Sequence, residues 1–583
     1  MRQQTTAGFR SRQRLPASSG WEGDLTLKIE VQPLRGSRLV DDYRAGKPEA
    51  ARFFTGHPGD LRAFRAKLAE VGRRFGRAER ETAAAAVRPT SPGAAARLAR
   101  FVEEGGAVVT TGQQAGLFTG PMYTIHKILT AIRLAEALEE RLGVVVLPVF
   151  WAASEDHDFD EANHTYLVDG AGKLRRLAVS ATDDRPLPMS EMRLGKDVEN
   201  LSGELRDVVE SIGDNAVDLR DVLAPYQAGK TVAEAFRGTV ERLFADFDLL
   251  VTDAADPHVK RASLPVLLGD VERAREHERL VRARTEELQA AGYSAPVTVR
   301  QDAANVFFHG PAGRERLAKT RDGWIARAAR IRFTPDEVAE RMRAEPGAFS
   351  PNVFLRPVVE SAVFPTLAYV GGPAETAYFA QIGPLFQAFG IIPPVSYPRF
   401  AARLVPDEVA RKAMELGATD EELQLPEHEL ASLLAKRRLP AAITERLHGL
   451  RVALVEGFGE LMDAAAGIDF NLDGAVGARR NRALLEVAEA EAKILAHAKK
   501  ADRGISHDLP FIRNHLMPLG TPQERVLNVF PYLAMRPTLL RDLAEAMEVR
   551  FDPEPADAHA PPGGAVHAPA RAQPAGTVPD PIA

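Results

Sequence analysis

The amino-acid sequence predicts an α/β protein: a Rossmann-like parallel-sheet core with insertions, followed by a C-terminal α-helical coiled-coil domain. Residues 107–151 contain a β-branched run, a glycine-rich turn, an amphipathic helix and a second apolar run. This order is typical of a β-α-β unit with parallel strands. Residues 406–505 are rich in Ala, Leu, Glu and Arg and poor in strand formers, which indicates long antiparallel helices.

Composition and charge exclude several classes of protein. The chain has 583 residues, of which 45% are hydrophobic and 26% charged, with a net charge of −6 and no cysteine. About two to four structural units are expected at this length. The charge argues against nucleic acid as a partner, and the absence of cysteine excludes disulfides and thiolate metal sites. Without an apolar run of roughly 18–20 residues or a secretory signal, we expect a cytoplasmic protein with no membrane partner.

Local signals predict the elements of the first half. Residues 1–23 are polar and indicate a disordered extension. The core should begin over residues 24–164, with helices at residues 61–87 and at Pro92–Glu104. Gly143 is suited to end the helix of the β-α-β unit.

The middle of the chain alternates insertions with core. Residues 165–245 mix strand-like and helical pieces and are assigned to a connective insertion. The core should resume over residues 246–405, with a further insertion around residues 295–350. Asp256 should cap a long helix over residues 258–291. The strands predicted here are residues 247–252, 353–359, 366–370 and 391–397.

The last third is predicted to be helical and then disordered. A helix over residues 374–389 follows the turn Gly371-Gly372-Pro373, and the helical domain follows over residues 406–505. Residues 506–550 should pack on the core, with a T-x-x-E capping box from Thr521 to Glu524 that starts a helix over residues 522–533. Residues 551–583, rich in Pro and Ala, indicate a disordered tail.

The glycine-rich turn of the β-α-β unit is the first candidate site. Gly112, Gly116 and Gly120 permit positive φ or a close backbone approach. Such a turn presents backbone N–H groups and a helix N-terminus to an anionic ligand. His126 and Lys127 at the start of the helix favour this interpretation. The alternative is a tight β-α connection without a ligand.

Polar side chains follow the second strand, at the sheet edge where open α/β proteins bind ligands. They are Glu155, Asp156, His157, Asp158, Asp160, Glu161, Asn163 and His164. Carboxylates and imidazoles could bind Mg²⁺, Mn²⁺ or Zn²⁺, although the histidines lack the helical spacing of a metalloprotease. The alternatives are a solvated loop with a capping Asp, and groups that orient an amine or act as a base. His157 is the best base because its ordinary pKa lies near neutrality.

Two further polar groups lie later in the chain. Arg356, on or beside the strand predicted at residues 353–359, has a planar fork suited to a carboxylate or phosphate, or to an internal carboxylate pair. Nearby are Asn352, Glu360, Gly371, Gly372, Glu375, Tyr378 and Gln381. Glu375 could instead complement the helix dipole, and Tyr378 and Gln381 could be packing residues. The second group is Asn514, His515, Gln523, Glu524 and Arg525, of which the capping box already explains Glu524.

Several segments match one family in the same order, from about residue 24 to residue 550. They are Thr111-Gly112-Gln113-Gln114-Ala115-Gly116-Leu117-Phe118-Thr119-Gly120-Pro121, Tyr123-Thr124-Ile125-His126-Lys127, Pro148-Val149-Phe150-Trp151, Glu155-Asp156-His157-Asp158-Phe159-Asp160-Glu161, Asn163-His164, Ser350-Pro351-Asn352-Val353, Arg356-Pro357, Val370-Gly371-Gly372-Pro373, Glu375, Ala377-Tyr378, Ala380-Gln381, Pro398-Arg399, Pro518-Leu519-Gly520 and Gln523-Glu524-Arg525. With these segments the chain resembles the cysteine ligase family of bacillithiol biosynthesis, the BshC family.

The resemblance implies a fold, a reaction and partners. The fold would be a Rossmann-like core with connective insertions and a coiled-coil domain that forms a homodimer. The substrates would be cysteine and glucosaminyl-malate, joined through an amide bond. Because amide formation from a free carboxylate is uphill in water, the cysteine carboxyl needs activation. ATP or ADP is therefore the expected nucleotide, with Mg²⁺ bound through it and no protein-bound metal. P-loop, dinucleotide and nucleophile-elbow motifs are absent, so a non-standard loop must hold the nucleotide.

Roles for the matched residues follow from this chemistry. Lys127 and Arg356 would counter developing negative charge, and His157 or Asp158 would deprotonate the sugar amine. With His126 these are the expected catalytic residues. The expected binding residues are Gly112, Gln113, Gln114, Gly116, Gly120, Tyr123, Glu155, Asp156, Asn163, His164, Asn352, Gly371, Gly372, Glu375, Tyr378, Gln381 and Arg399. The alternatives are another nucleotide-dependent transferase acting on an amino sugar or amine, and a non-catalytic nucleotide-binding scaffold.

Overall fold

The computed structural model describes residues 26–212, 219–469 and 471–552. The strands are β1 (Leu27–Gln32), β2 (Arg88–Pro89), β3 (Ala107–Gln113), β4 (Val146–Ala152), β5 (His164–Val168), β6 (Leu174–Ala178), β7 (Leu250–Asp253), β8 (Ala303–Gly310), β9 (Gly313–Lys319), β10 (Trp324–Ala326), β11 (Ile331–Phe333), β12 (Phe349–Pro351), β13 (Thr366–Gly371), β14 (Val395–Pro398) and β15 (Ala401–Pro406).

The helices surround these strands and continue beyond them. They are α1 (Arg38–Arg44), α2 (Pro48–Ala51), α3 (Leu61–Arg74), α4 (Arg77–Ala85), α5 (Pro92–Glu104), α6 (Tyr123–Leu142), α7 (Phe159–Ala162), α8 (Asp197–Glu210), α9 (Leu219–Leu223), α10 (Val232–Leu243), α11 (Pro257–Glu272), α12 (Ala274–Ala290), α13 (Pro335–Ala344), α14 (Arg356–Val363), α15 (Pro373–Ala388), α16 (Asp407–Leu416), α17 (Glu427–Arg438), α18 (Ala441–Ala466), α19 (Asn471–Ala501), α20 (Leu509–Leu516), α21 (Phe530–Met535) and α22 (Leu539–Ala546). No helix in the described ranges is long and apolar enough to cross a bilayer.

A six-stranded sheet forms the core, in the order β14-β13-β3-β4-β7-β2. All its neighbouring strands are parallel except β2, which runs antiparallel to β7 at one edge. Strands β4 and β13 are buried along their whole length, as expected when helices cover both faces of a parallel sheet. The predicted Rossmann-like core is therefore confirmed.

The β-α-β unit has the predicted order β3, α6, β4, and the helix ends at Gly143 in the left-handed conformation (φ 67°). The apolar run of β4 pairs with β3 over seven residue pairs, from Ala107–Val146 to Gln113–Ala152. The carboxyl ends of both strands therefore reach the same edge of the sheet.

Two additions interrupt the core. Between β4 and β7 lie the hairpin β5-β6 and helices α8 to α10. Between α12 and α14 lies an antiparallel sheet in the order β11-β10-β9-β8-β12, with helix α13. This second addition, here called the β-insertion (residues 303–351), ends directly before Asn352.

The C-terminal domain is helical, as predicted. Helices α18 and α19 pair along their length: Arg451 forms an ion pair with Glu491, and Gly477 lies against Met462. These two contacts run in opposite chain directions, so the helices are antiparallel.

Four local predictions were wrong. Residues 61–87 form two helices, α3 and α4, and residues 258–291 also form two, which break at Arg273. Residues 353–359 are not a strand, because the Asn352 carboxamide accepts the N–H groups of Phe354 and Leu355 and starts a helical turn.

The fourth error concerns residues 522–533. They do not form one helix: Gln523–Arg525 is a 3-10 turn, and α21 begins only at Phe530. The side chain of Glu524 is engaged by Arg399 and His126 and makes no capping box. A buried ion pair has replaced the local cap.

The predicted terminal extensions lie largely outside the described residues, which exclude residues 1–25 and 553–583. Two residues of the predicted tail, Phe551 and Asp552, are described. The Phe551 ring lies 5.7 Å from that of Phe64, and the N–H of Asp552 donates to the carbonyl of Gly59 (2.8 Å). These two residues therefore pack on the core.

The segment after the helical domain returns to the glycine-rich turn. Asn528 is fully buried and donates to the carbonyls of Phe118 (2.6 Å) and Gly120 (3.1 Å) and to the Thr165 hydroxyl (3.1 Å). The neighbouring Leu527 carbonyl accepts the N–H of Met122 (2.8 Å). The C-terminal segment thus holds the loop that precedes α6.

We predict that Asn528→Ala lowers the free energy of unfolding by about 2 kcal/mol, because it leaves buried carbonyls without a donor. Asn514→Ala is the matched control, since Asn514 is only partly buried and donates to one carbonyl, that of Gly172 (3.0 Å). Urea unfolding measures both variants. Equal losses would contradict the special role of Asn528.

Candidate functional site

A cavity of about 890 Å³ lies at the carboxyl edge of β3, β4 and β13, between the core and the β-insertion. The predicted site residues that line it are Gly112, Gln113, Gln114, Tyr123, Lys127, Glu155, Asp156, His157, Asn352, Arg356, Gly372, Glu375, Tyr378 and Arg399. The predicted site residues that lie outside its lining are Gly116, Gly120, His126, Asp158, Asn163, His164, Gly371 and Gln381. The carboxyl ends of the strands and the starts of α6, α14 and α15 bring the lining residues together.

The glycines of the turn serve backbone geometry. A Cβ on Gly112 would lie 3.0 Å from the Trp151 carbonyl, and one on Gly116 would lie 3.1 Å from the Cα of Gly120. Gly120 itself has φ +69°, which favours glycine. The loop between Gly112 and α6 therefore depends on close backbone packing at two positions and on a left-handed residue at the third.

Lys127 is buried at the floor of the cleft. Its ammonium donates to the Gly112 carbonyl (2.9 Å) and to Oε1 of Gln113 (2.9 Å), and it pairs with Glu375. Burial lowers the pKa of Lys127, and the charge of Glu375 partly opposes this effect. Lys127 therefore joins the end of β3 to the start of α15.

Glu375 does more than complement a helix dipole. Its carboxylate accepts the Tyr369 hydroxyl (2.6 Å) and the backbone N–H of Gly372 (2.8 Å), in addition to its pair with Lys127. Burial acts to raise the pKa of Glu375, but Lys127 and these donors hold it below its ordinary value. The carboxylate is therefore ionised at neutral pH.

Arg356 has the internal partner that was one of its two predicted roles. Its guanidinium donates to Glu360 (2.7 Å) and to the Tyr378 hydroxyl (3.0 Å), and lies 5.2 Å from the centre of the Tyr369 ring. It still lines the cleft. The cation is thus fixed in direction before any ligand arrives.

The carboxylates after β4 are largely satisfied by the protein. Glu155 pairs with the buried Lys260, and Asp156 accepts the N–H groups of His157 (2.7 Å) and Asp158 (3.2 Å) and the amide of Gln114. To bind a metal ion, these carboxylates would have to give up hydrogen bonds and an ion pair within the protein. Nowhere in the described ranges do three or more His, Cys, Asp or Glu residues group as metal ligands.

Several predicted residues have structural partners away from the cleft lining. Asp158 is exposed and caps α7 by accepting the Glu161 N–H (3.3 Å). Gln381 donates to Thr285 (2.8 Å) and to the Val297 carbonyl (2.8 Å), which is the packing role considered for it. Asn163 and His164 contact each other at the start of β5 (3.0 Å). Gly371 ends β13, and Gly116 and Gly120 shape the loop behind the cleft.

His157 lies at the cleft wall beside an arginine. Nη1 of Arg314 donates to Nδ1 of His157 (3.1 Å). Because a guanidinium has no acceptor, Nδ1 offers its lone pair and the ring is neutral in this contact. Burial, with the positive charge of Arg314, lowers the pKa of His157.

His126 faces away from the cleft, toward the C-terminal segment. Its Nδ1 lies 2.9 Å from Oε2 of Glu524, and Arg399 donates to both carboxylate oxygens of Glu524 (2.8 and 2.6 Å). All three side chains are largely buried. Arg399 also lines the cleft, and Arg525, next to Glu524, enters it as well.

Sequence reasoning missed part of the lining: Arg300, Phe307, Arg314 and Arg316. The alternation of arginines at 314 and 316 could have indicated one face of a strand. Arg525 belongs to the last predicted polar group, in which the sequence predicts a capping role for its neighbour Glu524. No local signal places the β-insertion against the cleft.

We predict an acid-sensitive contribution of Glu524 to stability. Burial alone would raise its pKa, but the hydrogen bond from His126 and the pair with Arg399 lower the pKa from 4.5 to about 2. The stabilisation, on the order of 3 kcal/mol, is therefore present above pH 4.5 and is lost as pH falls toward 2.

The measurement is the difference in unfolding free energy between the unchanged protein and Glu524→Gln. This difference should shrink as pH falls from 4.5 to 2. Glu415→Gln, in an exposed pair with Arg411, is the control and should have little effect. A pH-independent difference for Glu524→Gln would contradict the prediction.

Comparison with known proteins identifies the family. A family model described as the bacillithiol biosynthesis BshC N-terminal Rossmann-like domain matches residues 26–400, and the BshC C-terminal coiled-coil domain matches residues 402–550. Three relatives share the name "Putative cysteine ligase BshC". That of Koribacter versatilis is 33% identical, over 76% of this chain and 82% of the relative. Those of Geobacillus thermodenitrificans and Geobacillus kaustophilus are 30% and 31% identical, each over 87% of this chain and 95% of the relative. This chain belongs to the BshC family.

Proposed function

We propose that the protein is a cysteine ligase that joins cysteine to the amine of glucosaminyl-malate after ATP-dependent activation of the cysteine carboxyl. The observation that supports this proposal most is the composition of the cleft. It combines fixed cations with a neutral imidazole, in a family whose relatives bear the name "Putative cysteine ligase BshC".

The reaction has two parts. An oxygen of the cysteine carboxylate forms a bond to phosphorus, and either ADP or pyrophosphate leaves. The sugar amine, after loss of a proton, then attacks the activated carbonyl carbon. A C–N bond forms, the C–O bond to phosphate or AMP breaks, and the amide is released.

The glycine-rich side of the cleft suits the anionic reactants. Lys127 is buried and Arg356 partly buried, and hydrogen bonds fix the direction of both cations. The Arg525 guanidinium forms no hydrogen bond or ion pair in the described part of the chain. Preorganised cations stabilise charge that develops during phosphoryl and acyl transfer without reorganising. We place the phosphates and the activated carboxyl here, and any Mg²⁺ would be bound through the nucleotide.

His157 suits the role of base better than Asp158. Its lowered pKa keeps the imidazole neutral at pH 7, whereas Asp158 is engaged in capping α7. To accept a proton at Nδ1, the ring must exchange its contact with Arg314 for the substrate ammonium. Nδ1 of His157 therefore becomes available as a base only when the acceptor is bound.

We further propose a homodimer formed through the helical domain. Leu450, Val452, Val455 and Leu461 on α18 and Leu485 on α19 are exposed apolar side chains of the helical pair. A second copy would remove this surface from water. We also propose a cytoplasmic location, because ATP and a free thiol substrate belong to a reducing compartment.

The direct test is a reconstituted reaction with cysteine, ATP and glucosaminyl-malate. We predict an amide product by mass spectrometry, with ADP or AMP identifying the activation chemistry. Absence of the amide, with turnover of another amine, would favour a different transferase. Binding of neither ATP nor ADP in calorimetry, with no amide, would contradict the proposal.

Single-turnover rates should assign the residues. Lys127→Ala, Arg356→Ala and His157→Ala should each lower the rate by about a hundredfold or more, because each removes charge stabilisation or proton transfer. Arg321→Ala, whose side chain is 95% exposed on the β-insertion, is the control. Thermal melts check folding, and normal rates in all three site variants would reject the assignments.

The pH profile tests His157 separately. The active imidazole is neutral and its pKa lies below 6.5, so the maximal rate should fall only as pH drops below that value. Arg314→Gln removes a neighbouring positive charge and should move this acidic limb to higher pH. Asp156 and Asp158 also act on the ring, with the opposite sign. If the maximal rate of Arg314→Gln falls at the same pH as that of the unchanged protein, the titration of His157 does not cause the fall.

A further inference from the structure

The β-insertion contributes cations to the cleft that the proposed chemistry does not use. They are Arg314 and Arg316 on β9; with Arg300, three residues before the β-insertion begins, we call them the insertion arginines. Residues two apart on a strand share a face, so Arg314 and Arg316 both face the cleft. Glu315 lies on the other face, where it accepts two backbone N–H groups of the β10–β11 turn (2.6 and 2.8 Å). It therefore does not neutralise its neighbours.

Arg314 is held by neutral acceptors. Arg314 donates to the Ser350 hydroxyl (3.0 Å), the Pro351 carbonyl (3.1 Å) and His157, and lies over the Phe307 ring at 3.9 Å. These contacts fix the direction of its guanidinium without cancelling its charge.

Arg316 is also held by neutral acceptors, whereas Arg300 is not. Arg316 donates to the Ala304 carbonyl (2.7 Å) and to the side-chain oxygen of Asn305 (3.3 Å). Arg300 makes no hydrogen bond within the described residues, and none of the three insertion arginines forms an ion pair there. Burial lowers the pKa of Arg314, and the charges of Glu155 and Asp156 oppose this only in part. Burial and the charge of Arg300 lower the pKa of Arg316, against a smaller effect of Asp270 and Glu278.

The other side of the cleft is different. Lys127 pairs with Glu375, Arg356 with Glu360 and Arg399 with Glu524. Apart from the exposed Arg525, the lining cations without an ion pair in the described residues therefore lie on the insertion wall. Arg314 and Arg316 are partly buried and Arg300 is exposed at the mouth of the cleft. Because partly desolvated charges are unfavourable unless they are paired, this wall is suited to a ligand with more than one negative charge.

We infer that the insertion arginines form a subsite for a dicarboxylate. The identity of this ligand rests on the proposed function: the dicarboxylate is the malyl group of the acceptor. Guanidinium forks match carboxylates with two parallel hydrogen bonds. The acceptor then lies along the β-insertion. Its amine lies between His157, which contacts Arg314, and the activated carboxyl near Lys127.

The kinetic test uses Arg316→Gln and Arg300→Gln, with Arg321→Gln as the matched control. We expect KM for glucosaminyl-malate to rise about tenfold to a hundredfold in both site variants, with KM for ATP and cysteine unchanged. Methyl glucosaminide, which lacks the malyl group, should react slowly with the unchanged protein and lose no further rate in the variants. Equal losses on both acceptors would overturn the inference. A rise in KM for ATP instead would assign the arginines to phosphate.

Direct binding separates this inference from the proposed function. Calorimetric titration with malate should give equal affinity for the unchanged protein and Arg321→Gln, and at least tenfold weaker binding for Arg316→Gln. Lactate, with one carboxylate, should bind more weakly than malate. Arg316→Lys, which keeps the charge, should recover part of the affinity and guards against a folding defect. If Arg316→Gln weakens malate binding but the unchanged protein forms no amide, the subsite is retained and the ligase function is rejected. If the unchanged protein forms the amide but Arg316→Gln binds malate as tightly as the unchanged protein, the subsite is rejected.

Discussion

The buried ion pair between Arg399 and Glu524 connects the two parts of the chain that form the site. Arg399 follows β14 at the edge of the core sheet, and Glu524 belongs to the segment that returns from the helical domain. His126 completes the carboxylate's bonds. Because one buried partner without the other would be strongly unfavourable, the segment docks in one register. That register carries Arg525 into the cleft and Asn528 under the glycine-rich loop.

The cleft has an electrically balanced side and an unbalanced side. On the core side three of the lining cations each pair with a carboxylate: Lys127 with Glu375, Arg356 with Glu360, and Arg399 with Glu524. On the β-insertion side, guanidinium groups bond only to neutral oxygens and to one imidazole. Paired cations offer a ligand hydrogen-bond donors in fixed directions, whereas unpaired cations also contribute net positive charge. In the proposed reaction the phosphates and the activated carboxyl would lie on the core side, and the carboxylates of the amine-bearing acceptor on the insertion side.

Local patterns failed in two places where another interaction was stronger, one with a residue distant in sequence and one with an adjacent residue. The T-x-x-E motif predicted a cap at Glu524, but Arg399 is 125 residues away in sequence and makes two charge-assisted bonds to it. The valine-rich residues 353–359 predicted a strand, but the carboxamide of Asn352 starts a helix there. That change turns Arg356 toward Glu360 and Tyr378. In both places the local preference was real and was outweighed.

The sequence by itself determined the Rossmann-like core, the β-α-β unit around the glycine-rich turn and the helical C-terminal domain. It also determined most of the residues that line the core side of the cleft, among them Gly112, Lys127 and Tyr378. These features depend on periodicity, glycine placement and strand-end position, which act over short stretches of chain. Only the tertiary structure decided that His126 faces Glu524 and that Asp158 lies outside the lining. It also brought Arg300, Arg314 and Arg316 to the cleft. Those placements depend on how the β-insertion and the C-terminal segment dock, and docking is set by buried charge and packing between residues far apart in sequence.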